Sequence, residues 1–328
     1  MTLWNRMHAL LCLSLLMLAS TASFAQYTGI AGTVVRFATV AQGRELLGRD
    51  DDWVAATSDF QRAATLGKPS PVATAQLLAF TMDTVQPWSP TDEARWRKAL
   101  DVIAPRFAAL HVPLPPEVVL INTNGRDAAN APYTRGHAVV LPMSSLGAAK
   151  GPRSDVVLLA HELFHVVSRH HPELSTKLYA TIGFESVAPL QWPPAWLPAR
   201  IANPDAPFDR HAVRVEVDGR SAWVMPLLVA RRTDLKPGES FFDVLDVRLL
   251  EVSTTASGPT LPVIRAGQPV WHDPGKTPDY LKKLGSNTGY IIHPEETMAD
   301  NFALLVANQP VPNQALLKRI EAVLLDTR

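Results

Sequence analysis

Two histidines and a glutamate, His161, Glu162 and His165, stand inside the apolar run VVLLAHELFHVV at residues 156–167. Ionisable groups in such a run lose hydration, a cost tolerated only where each meets a charge, a hydrogen bond or a metal ion. In a helix, residues four apart lie about 40° apart around the axis, so both imidazoles project from one face and are placed to hold one ion together. Glu162 follows His161 by one position and lies beside the pair, within reach of a water on that ion. The flanks Val156, Val157, Leu158, Leu159, Leu163, Phe164, Val166 and Val167 make the helix apolar nearly all round, hence buried. Buried without a metal, the three ionisable groups would be a serious liability.

This is the HExxH arrangement of zinc metallopeptidases, in which the imidazoles bind Zn2+ and the glutamate is the general base. A catalytic zinc usually has three protein ligands and an open position for water, so a third ligand is required. His171 is the local candidate, as in the HExxHxxGxxH pattern of metzincins. That pattern turns the chain out of the helix at a glycine, and here the position is Ser168. A helix continuing to His170 would carry His171 about 80° away from His161. The Met-turn would have to come from Met225, which lies in a hairpin-like stretch. The distant candidate is HPEETMADNFALL, where Pro294 suits a first helical turn and Glu296 and Asp300 share one face. Met298, Phe302 and Leu305 form a different, apolar face. Glu295 is the rival ligand, but its phase with Met298 and Phe302 argues against it.

At these residues the chain resembles the gluzincin metallopeptidases, whose second motif is a glutamate ligand with an aspartate four residues on; the ExxAD form is closest to Ste24-like and thermolysin-like peptidases. The resemblance covers about 30 residues and is specific for a zinc site, not for a substrate. It implies His161, His165 and Glu296 as ligands, Glu162 as the base, and Asp300 hydrogen-bonded to a ring nitrogen of His161. The chain has no membrane spans of the Ste24-like kind, so prenylated substrates do not carry over. Peptide or protein is the expected substrate, hydrolysed by a zinc-activated water. A second donor should steady the oxyanion, for which Tyr290, His293, His211 and Tyr133 all remain open. Gluzincins place a sheet edge that pairs with extended substrate just before the active helix, which makes Ala138–Leu141 the candidate for strand addition. The turn-rich IANPDAP, residues 201–207, is a candidate cleft wall.

The elements that must position these groups are readable in outline. SPTDEARWRKALDVIAPRFAAL predicts a helix capped by Thr91 and kinked or split at Pro105. Strands are expected at Glu117–Asn122 and Ala138–Leu141, and the HExxH helix should start at Ser154 or Asp155 and end near His170, before Pro172. Residues 187–209 are proline-rich and form a long structured loop. AVRVEV and SAWVMPLLV form a hairpin about Asp218-Gly219. The C-terminal region is helical again.

With 328 residues and 47% hydrophobic content the chain can bury a large core. Lys+Arg and Asp+Glu both total 31, so no global field favours nucleic acid. The first 25 residues read as a secretory signal: an arginine, an apolar core from Ala9 to Ala19, then Ser23-Phe24-Ala25. Cys12, the only cysteine, falls inside it, and no second apolar run is long enough to span a bilayer. The expected protein is a periplasmic or secreted bacterial α+β domain over 26–328. It would have a two-lobed, zincin-like fold with a central buried HExxH helix and a small β-sheet. Residues 26–186 would form the N-terminal lobe; 187–328 would carry a β-rich insertion and the third-ligand helix. Two rival readings are a non-catalytic periplasmic zinc-binding or assembly protein on the same fold, and a metal hydrolase acting on a small amide or peptidoglycan crosslink. Retention of Glu162 speaks against the first, since a structural zinc has no use for a base.

Overall fold

A computed structural model describes residues 26–30, 32–146, 155–236, 239, 241–254 and 258–326. The expected signal segment, with Cys12, and Ser154 lie outside the described residues. Among the described residues, no helix is long and apolar enough to cross a membrane.

The chain is mixed α+β. A first sheet holds β1 (Gln26–Ile30), β2 (Thr33–Phe37), β3 (Glu117–Asn122), β4 (Tyr133–Arg135) and β5 (Ala138–Leu141) in the order β1-β2-β3-β5-β4. β2, β3 and β5 run parallel, and β1 and β4 close the two edges antiparallel. Parallel strands must be covered on both faces, and the unbroken apolar run Val118–Ile121 serves that need. Val118 and Leu120 enter the main core, while Val119 and Ile121 face a second cluster with Leu47 and Val85.

Five helices connect β2 to β3: α1 (Val40–Leu47), α2 (Asp52–Ala56), α3 (Asp59–Leu66), α4 (Thr74–Thr84) and α5 (Pro90–Ala109). The cap of α5 is Ser89, not the expected Thr91, and Pro105 lies inside the helix without ending it. Pro105 is exposed, while Trp96, Leu100, Ile103 and Phe107 anchor the opposite side of the helix in the core.

After β5 come a short α6 (Met143–Leu146), the HExxH helix α7 (Asp155–His170) and α8 (Pro172–Ala180). A six-stranded antiparallel sheet follows, built on β6 (Phe184–Ser186), β7 (His211–Val217), β8 (Arg220–Ala230) and β9 (Leu245–Ser253). Asp218 and Gly219 join β7 to β8 at φ 51° and 72°, the left-handed pair that a tight two-residue hairpin needs. Met225 sits in β8, paired with Leu250, so it makes no Met-turn. The chain ends in α9 (Pro278–Leu284), α10 (Pro294–Val306) and α11 (Gln314–Leu325).

α10 lies along α7, and the Phe302 ring packs between Phe164 of α7 and Phe107 of α5, with centroids 5.2 and 5.6 Å away. The same core cluster continues to Val213, Val215 and Val224 of the second sheet. The two halves of the chain therefore share one apolar interior.

The strand expected to receive extended substrate does not lie at a sheet edge. Ala138–Leu141 is an interior strand between β3 and β4, with its hydrogen-bonding groups already committed. The edge on that side of the sheet is Tyr133–Arg135, a strand of three residues that the longer apolar run beside it overshadows.

Candidate metal centre

Bidentate contact from Arg95 of α5 to Asp155, at 2.7 and 2.6 Å, ties down the first turn of α7. From there α7 is buried from Val157 through Ser168. α10 begins with Pro294 at its first position, capped by His293, whose Nδ1 accepts from the Glu295 backbone N–H at 3.1 Å. These two rigid helices set the geometry of everything that follows.

His161, His165 and Glu296 come together in the interior, all at 3% exposure or less. Glu296 Oε2 stands 3.3 Å from His161 Nε2 and 3.6 Å from His165 Nε2. Ligands at tetrahedral corners about 2.0 Å from a zinc-sized ion are about 3.3 Å apart, so the observed edges fit one. His165 Nε2 has no hydrogen-bond partner, and neither does Glu162 Oε2 beside it. Orphaned buried polar atoms are costly, and an ion with its water would satisfy both. The three side chains form a buried group able to hold a metal ion.

Each imidazole is aimed by a carboxylate on its other nitrogen. Asp300 Oδ1 meets His161 Nδ1 at 2.8 Å, and Thr288 Oγ1 donates to the second Asp300 oxygen. Glu295 Oε1 meets His165 Nδ1 at 2.7 Å. Glu295 is itself held by Ser168 Oγ at 2.5 Å and by the Tyr179 hydroxyl of α8. Glu295 thus orients His165, and Ser168, which stands where a metzincin glycine would, supports it. Such partners fix ring orientation and raise ligand basicity. Replacing Asp300 or Glu295 by alanine is expected to weaken metal binding by roughly 10- to 100-fold. Competition against a chromophoric chelator measures this, and unchanged affinity in both variants would contradict the role.

Burial alone would depress the two histidines, but neighbouring carboxylates overcome it. The Asp300 and Glu296 bonds raise His161 to about 9. The charges of Asp205 and Glu296, with the Glu295 bond, raise His165 to about 10. Burial first, then the Asp205 charge, pushes Glu162 up to about 8. Burial would also raise Glu296, but the charge of His165 and the His161 bond hold it down to about 2. The metal-free centre therefore holds protons on its rings at neutral pH, and an ion must displace them. Apparent metal affinity is expected to fall as pH drops below about 9. Titration calorimetry in buffers of different ionisation enthalpy reads this directly: binding should release protons, and none released would contradict the assignment.

The remaining candidates separate by position. His171 caps α8 through its backbone only, and it belongs to neither metal-competent group among the described residues. The local-histidine alternative is therefore not assembled. The Tyr133 hydroxyl donates to Asp127 at 2.6 Å, which commits it elsewhere. His293 is the α10 cap, and burial holds it down to about 3. His211 is held down to about 4 by burial; its ring meets Tyr179 and His293 edge-on. Tyr290 stacks on His161, with centroids 6.0 Å apart and planes 15° apart, and it lines a cavity of 430 Å3 with Asn203 and Asp205.

The turn at 201–207 does more than wall a cleft. Asn203 Nδ2 donates to Glu296 Oε1 at 2.5 Å, and Asp205 lies with Glu162 and His165 in a second group whose ligand atoms fall within 4.8 Å of one another. Glu295's role, Tyr179, Ser168, Asn203 and Asp205 escape sequence reasoning. The only signal for the last two was the turn string itself.

No known protein family, curated protein or solved structure matches the chain.

Proposed function

We propose that the chain is a zinc-dependent metallopeptidase of gluzincin type, with a zincin-like fold. The observation that carries this reading is the meeting of His161 Nε2 and His165 Nε2 on one oxygen of Glu296, with an unpartnered Glu162 oxygen alongside. The first sheet ends in an antiparallel edge strand, and α7 packs against both β4 and β5. A zinc ion held there would polarise a scissile carbonyl and acidify water.

The chain's own groups supply the rest. Glu162 takes the proton from the attacking water and passes it to the departing amine nitrogen, balancing the hydrolysis. Asp300 and Glu295 keep the two rings fixed during this cycle. Tyr290, against the face of His161, is the candidate donor for the oxyanion. The cavity beside it, walled by Trp53, Ile201, Leu228, Phe241 and Ile292, suits an apolar side chain of a peptide.

A mixed peptide library digested by zinc-loaded protein and analysed by mass spectrometry tests the reading. Zinc-dependent internal cleavage is the expected result. Bound zinc with no cleavage of peptides or of small amides would instead support a non-catalytic binding protein.

A further inference from the structure

Glu296 uses its two carboxylate oxygens differently. Oε2 is the atom that His161 Nε2 and His165 Nε2 both approach, at 3.3 and 3.6 Å. Oε1 accepts from Asn203 Nδ2 at 2.5 Å. The far end of that amide fixes its orientation, because Asn203 Oδ1 accepts from the Asp205 backbone N–H at 3.1 Å. An amide with its oxygen so engaged presents its N–H to the carboxylate.

A turn closed by an asparagine in this way needs no outside support, yet the turn at 201–207 is fastened from several sides. Ala202 exchanges two hydrogen bonds with the Gln61 amide of α3, each 2.8 Å, and its carbonyl also accepts from Trp53 Nε1 of α2 at 3.1 Å. Arg169 of α7 donates to the carbonyls of Pro204 and Asp205 at 3.0 and 3.3 Å. Asp205 Oδ1 accepts from both the backbone N–H and the hydroxyl of Thr134 in β4, each at 2.6 Å. Asp205 does not itself join the group of His161, His165 and Glu296. The residue that these anchors bring against a ligand is Asn203.

The consequence lies in how a carboxylate binds a metal ion. It offers one oxygen or both, and the second oxygen takes up a further coordination position. Glu296 is 1% exposed. Without Asn203 its Oε1 would be left buried and unpaired, a cost that turning onto the ion would relieve.

We propose that Asn203 is a positioning residue that holds Glu296 to one-oxygen coordination and so keeps a position on the ion open for water. The inference rests on the metal-ion reading of His161, His165 and Glu296, and it does not require that the water go on to cleave a peptide.

Cobalt substitution tests it, because the visible absorption of the ion weakens as its coordination number rises. Full-length wild type, Asn203→Leu and Asn203→Ser are loaded with cobalt, with thermal melting as the folding control. Leucine matches the size of asparagine without its donor. Serine keeps an acceptor for the Asp205 N–H but is too short to reach Glu296, so it preserves the turn if the leucine variant fails to fold. The wild type should show the strong absorption of a four-coordinate ion. The variants should bind cobalt, absorb several-fold more weakly, and take up acetohydroxamate with affinity lowered by about tenfold or more, as for other residues that orient a ligand. Variants with the wild-type spectrum and hydroxamate affinity would make Asn203 a structural contact only, overturning the proposal while the metal centre stands. A wild type whose spectrum is already that of a five-coordinate ion overturns it too, as do folded variants that bind no cobalt. Wild type that binds no cobalt overturns both the metal centre and the proposal.

Discussion

Glu162→Gln is expected to lower peptide hydrolysis roughly 10²- to 10⁴-fold, the range a positioned general base supplies. Glutamine keeps the size of the side chain but cannot take a proton from water. Metal content should stay unchanged, because Glu162 is not among the three converging ligands. Stability should not fall either: the substitution removes one of the carboxylates crowded with Asp205, whose charge already pushes Glu162 up to about 8. Steady-state rates, bound metal and a melting curve on the same preparations make the check. Lost hydrolysis together with lost metal would assign Glu162 a binding role instead, and full activity would remove the proposed chemistry.

Glu296→Ala should have the larger structural effect. It deletes the oxygen that both Nε2 atoms face and the acceptor of Asn203. Breaking a buried charge set by removing one partner costs about 3–5 kcal/mol. The variant also forfeits ligand stabilisation, about 4 kcal/mol at a free metal concentration near 1,000 Kd. The wild type should melt higher when zinc is added and lower after chelation, and the variant should show neither shift. Glu296→Gln, which keeps the Asn203 contact, separates the loss of charge from the loss of packing. His171→Ala is the control: its side chain makes no capping bond, so metal binding should be unchanged and stability should move by no more than about 0.5 kcal/mol. Metal lost from His171→Ala and kept in Glu296→Ala would move the chain to the metzincin arrangement.

The contrast between these residues shows which parts of the centre a sequence carries. His161 and His165 share a face through helical periodicity alone, and Glu296 and Asp300 share theirs for the same reason. Local spacing within a helix is read directly. Glu295 obeys the same periodicity, which placed it with the apolar residues Met298 and Phe302. It is indeed buried, yet polar partners on two other helices, Ser168 and Tyr179, make the pocket it fills. No spacing rule announces that meeting. Asp205 is a similar case: the turn was evident from its residues, but its approach to the ligands depends on bonds to Gln61, Thr134 and Arg169 from distant elements.

The fold divides along the same line. β3, β5, the hairpin about Asp218-Gly219 and α7 follow from composition and pattern. β1 and β2 are short and carry mixed side chains, and Tyr133–Arg135 is shorter still, so the sheet edge is set by pairing with β5 rather than by its own residues. Pro105 shows the opposite override, where packing on one side of a helix outweighs a local breaker on the other.

His161, His165 and Glu296 are expected to hold one metal ion. Purified full-length protein and the His161→Ala/His165→Ala double variant, both equilibrated with zinc and passed into metal-free buffer, should be assayed by inductively coupled plasma mass spectrometry. One zinc per chain in the wild type and less than about a tenth of that in the double variant is the predicted result. A wild type that emerges without metal, or a double variant that keeps its full complement, would contradict it.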